Sequence, residues 1–207
     1  MAGERWATFD CYGTLIDWNG GLRRALGSDE LVERYHELEP QVQAENPGRL
    51  YRDVMTEVAR RLGADDADAP ARSLPLWEPF REVPAALEAA RARGWKLAIL
   101  SNTDRDFIDA SMVQIGVPFE LAIVASEIGS YKPQHRHWLA FFDETGANRG
   151  QYVHVAQSHF HDIVPANELG LRSVWINRAG ERHDPSPTRE LPDLTRLPKT
   201  LDELVPA

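Results

Sequence analysis

The chain has one cysteine, Cys11, in 207 residues, so no disulfide can form within it and a reducing compartment is the expected setting. It has no apolar run near the ~20 residues that a membrane-spanning helix needs. Its first residues, MAGERWATF, lack a basic stretch followed by an apolar one, so no secretory signal is expected and a cytoplasmic location is the default. Positive charge is also short. Lys and Arg number 23 against 32 Asp and Glu, and the net charge of −9 argues against nucleic acid or an anionic membrane as a general partner. A small anionic substrate is not excluded, because a local cation can serve it. There is no internal repeat and no coiled-coil heptad.

The composition, 43% hydrophobic and 27% charged, is that of a globular chain with one good core. Short apolar runs read as strands: Arg5 to Asp10, Trp95 to Leu100, Glu120 to Ala125, Tyr152 to Ala156 and Arg172 to Asn177. Their near-continuous β-branched and aromatic content suits strands buried on both faces of a parallel sheet. Helical patterns lie between them, at Val83 to Gly94, Asp104 to Gly116, His135 to Gly146 and His161 to Gly170. The alternation predicts a right-handed βαβ series in a doubly wound α/β fold. Residues 17–77 break it with helical stretches and no strand, and predict a helical insertion. The proline-rich tail beyond Asn177 is expected to wrap the surface.

In doubly wound sheets ligands bind beyond the carboxyl ends of the strands. Four such ends carry polar residues here. The first delivers Asp10, Tyr12 and Thr14; the second Ser101 and Asn102; the third leads to Lys132; the fourth delivers Gln157, Ser158, His159 and Asp162. An aspartate with an ordinary pKa of about 3.9 is already ionised at neutral pH. As a nucleophile Asp10 therefore needs no base to activate it.

The Asp of FDCYGTLID, the Ser-Asn of LSNTD, the Lys of YKP and the Asp of SHFHDIVPANELGL together resemble the four motifs of the haloacid dehalogenase superfamily, over nearly the whole chain. The resemblance implies a three-layer Rossmann-like core, residues 1–16 and 78–207, with a helical cap at 17–77. It implies that Asp10 forms a covalent intermediate that water breaks down. Lys132 would hold the charge of Asp10 and steady Asp162, with Thr14 and Ser101 donating to the same cluster.

Two departures choose the branch. The magnesium-dependent phosphatases of the superfamily carry a second aspartate two residues after the nucleophile, which protonates the leaving alkoxide; here that residue is Tyr12. A halide is a weak base and leaves without a proton. The phosphatases also have two acids in the last motif, whereas Gln157 to Asp162 contains one, and losing an anionic oxygen weakens a hard-cation site. No metal or other cofactor is expected. The form D-x-Y-G-T resembles the 2-haloacid dehalogenases, and implies conversion of a short 2-haloalkanoic acid, a small anionic substrate, to the 2-hydroxy acid.

That likeness assigns further roles. Arg34 in RYHELEP stands in the frame of a cap arginine, R-x-x-Q-L-E-Y, that holds substrate carboxylate and halide, although Glu37 and Pro40 replace the family Gln and Tyr. Backbone N–H groups near Cys11 and Tyr12, with Ser101 and Asn102, would hold the substrate carboxylate. Gln157 and His159 depart from that likeness, standing where its last motif has Ser and Asn; by their own chemistry Gln157 would orient a water, and His159 would take its proton or meet the halide. Trp138 stands where those enzymes have a tyrosine. A magnesium-dependent phosphatase of a small metabolite, or a member without turnover that serves as a binding module, are the alternatives. Preferred halogen, enantiomer, chain length and a homodimeric state are left open.

Overall fold

Successive residues of a strand face opposite sides of its sheet, and in this chain both sides are apolar. The computed structural model describes residues 3–207. Six strands, β1 (Arg5–Phe9), β2 (Trp95–Ser101), β3 (Leu121–Val124), β4 (Tyr152–Ala156), β5 (Ser173–Ile176) and β6 (Arg189–Leu191), form one sheet in the order β3-β2-β1-β4-β5-β6. Every pairing is parallel. The α/β three-layer expectation from the alternation is met.

The two faces differ in what covers them. Ala7 and Phe9, Leu97 and Ile99, and Val153 and Val155 turn into the larger apolar core. It includes residues of α5 (Val83–Ala92), α6 (Arg105–Ile115) and α10 (Leu197–Leu204). Trp6, Ala98, Leu100 and Tyr152 turn the other way and pack with Trp138 and Phe141 of α8 (Arg136–Thr145) and Ala166 of α9 (Val164–Glu168). Thr8 and His154 stand in register on β1 and β4 and are fully buried.

The tail is more than a wrap. Arg189–Leu191 adds a sixth strand beside β5, and α10 buries Leu197 and Leu201. Three residues are too few to display a period. The strand is specified by the open edge of β5, which supplies the backbone partners.

Between β1 and α5 the chain forms α1 (Trp18–Leu26), α2 (Asp29–Glu45), α3 (Tyr51–Leu62) and α4 (Ala69–Ser73). The outgoing and returning segments run side by side: the Asp17 amide donates to the Glu78 carbonyl at 2.9 Å and the Phe80 amide to the Leu15 carbonyl at 2.9 Å. Trp18 centres this helical unit, with ring centroids 5.4 Å from Tyr12, 6.0 Å from Tyr35, 6.1 Å from Tyr51 and 5.3 Å from Trp77. Gly21 lets α1 lie flat on Trp77; a Cβ there would come within 2.1 Å of the indole. Among the described residues no helix is long and apolar enough to cross a membrane.

Candidate active site

The chain leaves β1 to β2 on one side and returns through β4 on the other, so a crevice opens beyond the carboxyl end of β1. Asp10 is the first residue past that end, tied to β4 by its amide, which donates to the Val155 carbonyl at 3.0 Å. Gly13 then turns with φ +87°, a region costly to other residues. The turn brings Thr14 back under the carboxylate, where its hydroxyl donates to Asp10 Oδ2 at 2.7 Å and accepts from the Gln157 amide at 2.8 Å.

Lys132 reaches this point fully buried. Its Nζ donates to Asp10 Oδ1 at 2.8 Å, Asp162 Oδ1 at 2.7 Å and the Leu100 carbonyl at 2.9 Å. An ammonium has three hydrogens, and all three are engaged. The side chain of Asn102 pins the Lys132 backbone, accepting from its amide at 2.6 Å and donating to its carbonyl at 3.0 Å. Burial pushes the Asp10 carboxyl up and the Lys132 and Thr14 donors oppose it. Burial alone would lower Lys132, but Asp10 and Asp162 together hold it above its ordinary value. Asp162 is likewise pushed up by burial, yet the Lys132 charge and His154 hold it down to about 2.

His154 is a site residue that strand-end reasoning missed. Its Nε2 donates to Asp162 Oδ1 at 2.9 Å. In the neutral tautomer with its proton on Nε2, Nδ1 accepts from Thr8 Oγ1 at 2.8 Å, and Thr8 accepts from the Tyr152 hydroxyl at 2.5 Å. Trp138 packs edge-on to the imidazole at 5.2 Å. The signal was a lone histidine at an inward position of an apolar strand, YVHVA.

Above the cluster lies a cavity of about 70 Å³. Asp10, Ser101, Asn102, Lys132, Ser158, His161 and Asp162 form its floor and sides, and Tyr12, Trp18, Glu39, Gln43 and Tyr51 complete it. The Ser101 hydroxyl and Asp162 Oδ2 are buried without a hydrogen-bond partner among the described residues. Tyr12, two residues after Asp10, directs its hydroxyl away to Ser111 Oγ at 3.0 Å. Among the described residues no group of three or more His, Cys, Asp or Glu side chains is arranged to hold a metal ion.

Three expected site side chains lie elsewhere, those of Arg34, His159 and Gln157. Arg34 is exposed on α2, whose cavity-lining residues are Glu39 and Gln43, with the buried Tyr35 one turn earlier on the same stripe. One residue earlier is a rotation of about 100° away from that stripe. His159 is buried away from the cavity, its Nε2 donating to the Pro185 carbonyl at 2.9 Å and its ring 5.2 Å from Trp175. His161 lines the cavity instead. Its Nδ1 meets Ser158 Oγ at 3.0 Å, its Nε2 is buried and unpartnered, and burial pushes it down to about 4. The exchange follows from the π-helical turn His159–Ile163, whose wider winding differs from both strand and α-helix phase. The Gln157 side chain packs beside Gly13, its Oε1 3.0 Å from where a Cβ would be, and does not line the cavity. The Cys11 thiol is fully buried outside the cavity wall, and burial, then the Asp10 charge, push it well up.

A carboxylate at a strand tip, neutralised by a buried lysine under a helical cover, defines an α/β enzyme site suited to nucleophilic catalysis. The sequence comparisons agree: the profile of the haloacid dehalogenase-like hydrolases matches residues 5–170, and the chain belongs to that family of hydrolases. It is 31% identical over 195 residues, 83% of this chain and 82% of the relative, to an (S)-2-haloacid dehalogenase of Pseudomonas sp. strain YL. It is 27% identical to a phosphoserine phosphatase of Thermus thermophilus, over 69% of this chain and 59% of that one. In fold it is similar to the L-2-haloacid dehalogenase of Xanthobacter autotrophicus solved with chloropropionic acid covalently bound. The TM-score is 0.83 at 18% identity, covering 95% of this chain and 98% of the other.

Proposed function

We propose that this protein is a hydrolytic dehalogenase that converts short 2-haloalkanoic acids to 2-hydroxy acids through an ester of Asp10. The observation that carries the reading is the pairing of an Asp10 held by Lys132 and Thr14 with a Tyr12 whose hydroxyl is committed to Ser111. The nucleophile is ready, and the position two residues after it, from which an acid would protonate an alkoxide leaving group, holds a tyrosine turned to Ser111. A cavity of about 70 Å³ also suits an acid of two or three carbons.

In the first step an Asp10 oxygen attacks the carbon that bears the halogen. A carbon–oxygen bond forms, the carbon–halogen bond breaks, and halide departs with the electron pair. The backbone N–H groups that follow Asp10, at Cys11 and Tyr12, with Ser101 and Asn102, hold the substrate carboxylate. In the second step water attacks the carboxyl carbon of the Asp10 ester. Two groups on the cavity wall face it, Asp162 with its Oδ2 unpartnered and His161 with its Nε2 unpartnered among the described residues. Asp162, held ionised beside Lys132, orients the water, and the neutral imidazole accepts its proton at Nε2; Asp10 is regenerated as the hydroxy acid leaves.

Halide release from fluoroacetate, chloroacetate, bromoacetate and both 2-chloropropionate enantiomers, with EDTA present, tests the reading. One turnover in ¹⁸O-water is expected to place the heavy oxygen in Asp10. Absence of halide release, with magnesium-dependent release of phosphate from small phosphate esters, would assign the site to phosphoryl transfer instead.

A further inference from the structure

The cavity has one cation and three carboxyl groups. Lys132 is that cation, and each of its hydrogens is engaged below the cavity by Asp10, Asp162 or Leu100. Arg34, expected to meet an anion from above, is exposed on another face of α2. In its place stands Glu39, on the same stripe as Tyr35 and Gln43. The Tyr51 hydroxyl of α3 donates to Glu39 Oε1 at 2.5 Å, and no partner of Oε2 is found among the described residues.

An ionised Glu39 would repel a substrate carboxylate inside a water-poor cavity. A protonated Glu39 would donate to it, a charge-assisted bond of the stronger kind. We propose that Glu39 is the specificity-determining residue for the acid group of the substrate: it receives the carboxylate as a neutral carboxylic acid, and the enzyme takes up one proton with each carboxylate it binds. This rests on the 2-haloacid reading of the same site.

The surroundings favour the neutral form. Burial first, and then the charge of Asp10, push Glu39 up to about 7 against the Tyr51 hydrogen bond. From α2 itself Tyr35 faces it, from α3 Tyr51, from the segment after β3 Tyr131, and from beyond β1 Asp10, with Tyr12 next to Tyr51. All four hydroxyls are pushed above their ordinary values and stay neutral. Lys132, Asp162 and His161 share the cavity wall. Lys132 remains charged, Asp162 ionised and His161 neutral around pH 7. Glu39, pushed up to about 7, changes its charge there.

The test uses propionate, a carboxylate without a leaving group, titrated calorimetrically into the intact protein at pH 7.5 in two buffers of different ionisation heat. Uptake of most of one proton per propionate is expected, with affinity falling about tenfold per pH unit above 7. In Glu39→Gln, whose amide still donates, binding persists while proton uptake vanishes and the pH dependence flattens. Tyr51→Phe keeps the coupling but moves its onset to higher pH, because it removes the bond that favours the ionised acid. Propionate binding without proton uptake, uptake unchanged in Glu39→Gln, or no propionate binding at pH 6 overturns the proposal. Coupled propionate binding with no halide release from any haloacid leaves it standing and removes the dehalogenase reading. Halide release with uncoupled binding does the reverse.

Discussion

Asp104, at the start of α6 in the core, caps a helix that is not its own: its Oδ1 accepts from the Tyr51 amide at 2.8 Å and its Oδ2 from the Arg52 amide at 3.0 Å. These are the first amides of α3, whose own N-cap residue, Leu50, has no side chain able to cap. Arg52 Nε adds an ion pair at 3.1 Å, and the Tyr131 hydroxyl donates to the Arg49 carbonyl nearby. The helical unit is fastened to the core at the point from which Tyr51 reaches Glu39. Asp104→Ala is expected to cost about 2 kcal/mol and to expose α3 to proteolysis before the rest of the chain. Urea unfolding and timed digestion measure both; equal protection of α3 in the variant would show that the fastening lies elsewhere.

Lys132 bridges two buried carboxylates, and removing one partner of a buried ion pair costs about 3–5 kcal/mol. Lys132→Met should lower the melting temperature sharply and abolish ester formation on Asp10. Lys132→Arg should not restore activity, since a planar guanidinium cannot meet three acceptors arranged around one nitrogen. Restored turnover in the arginine variant would count against the geometry described.

His161→Ala separates the two chemical steps. The ester should form from chloroacetate at a near-normal rate and then decay about 100-fold more slowly. A carboxymethyl group would accumulate on the peptide that contains Asp10, visible by mass spectrometry after rapid acid quench. Normal turnover in His161→Ala would return the proton to Asp162. His159→Ala, by contrast, should leave ester decay unchanged.

Stability should decline in acid for an identifiable reason. The buried His137 donates from Nε2 to the Ser101 carbonyl at 3.1 Å, and burial, then the Lys132 charge, push it down to about 3. The folded protein thus binds fewer protons than the unfolded chain between that value and the ordinary 6.5. The stabilisation is complete above pH 6.5 and is lost as the pH falls toward 3, on the order of 5 kcal/mol for His137 at about 1.36 kcal/mol per unit. Glu39 acts with the opposite sign, its contribution present below the ordinary 4.5 and lost as the pH rises through about 7. Urea titrations from pH 4 to 8 should show a shallower acid limb in His137→Asn; a parallel limb would refute the assignment.

Gly21→Ala is a steric test of how the helical unit packs. The added methyl meets the rigid indole of Trp77, not a flexible chain end. Overpacking of this kind typically costs about 1–3 kcal/mol, and thermal unfolding should register it without loss of the core's near-ultraviolet signature.

The cluster around Asp10 was legible because each of its members sits at or near a strand end, and strand ends are readable from apolar runs. Asp10, Thr14, Ser101, Asn102, Lys132 and Asp162 all gather where expected. Two of the expectations that the structure does not meet turned on phase. His159 and His161 are two residues apart, and a π-turn decides which faces the cavity. Arg34 and Tyr35 are adjacent, and only the seating of α2 shows which face is covered. Glu39 and Gln43 are the polar part of that covered stripe, a signal present in the sequence but indistinguishable there from a solvated helix face. His154 was hidden within an apolar run, its meaning set by Thr8 across on β1.

The central position of β1 ties the order of synthesis to the order of assembly. Both neighbours of β1 come later in the chain, β2 after the whole helical unit and β4 later still. Until β4 arrives, β1 carries an unsatisfied edge, and non-local parallel pairing of this kind is slow. The Asp10 carboxylate then waits for a counter-charge more than half the chain away. A nascent chain cut short before Lys132 has neither that counter-charge nor the strand that encloses Asp10, so the carboxylate stays in water until both emerge.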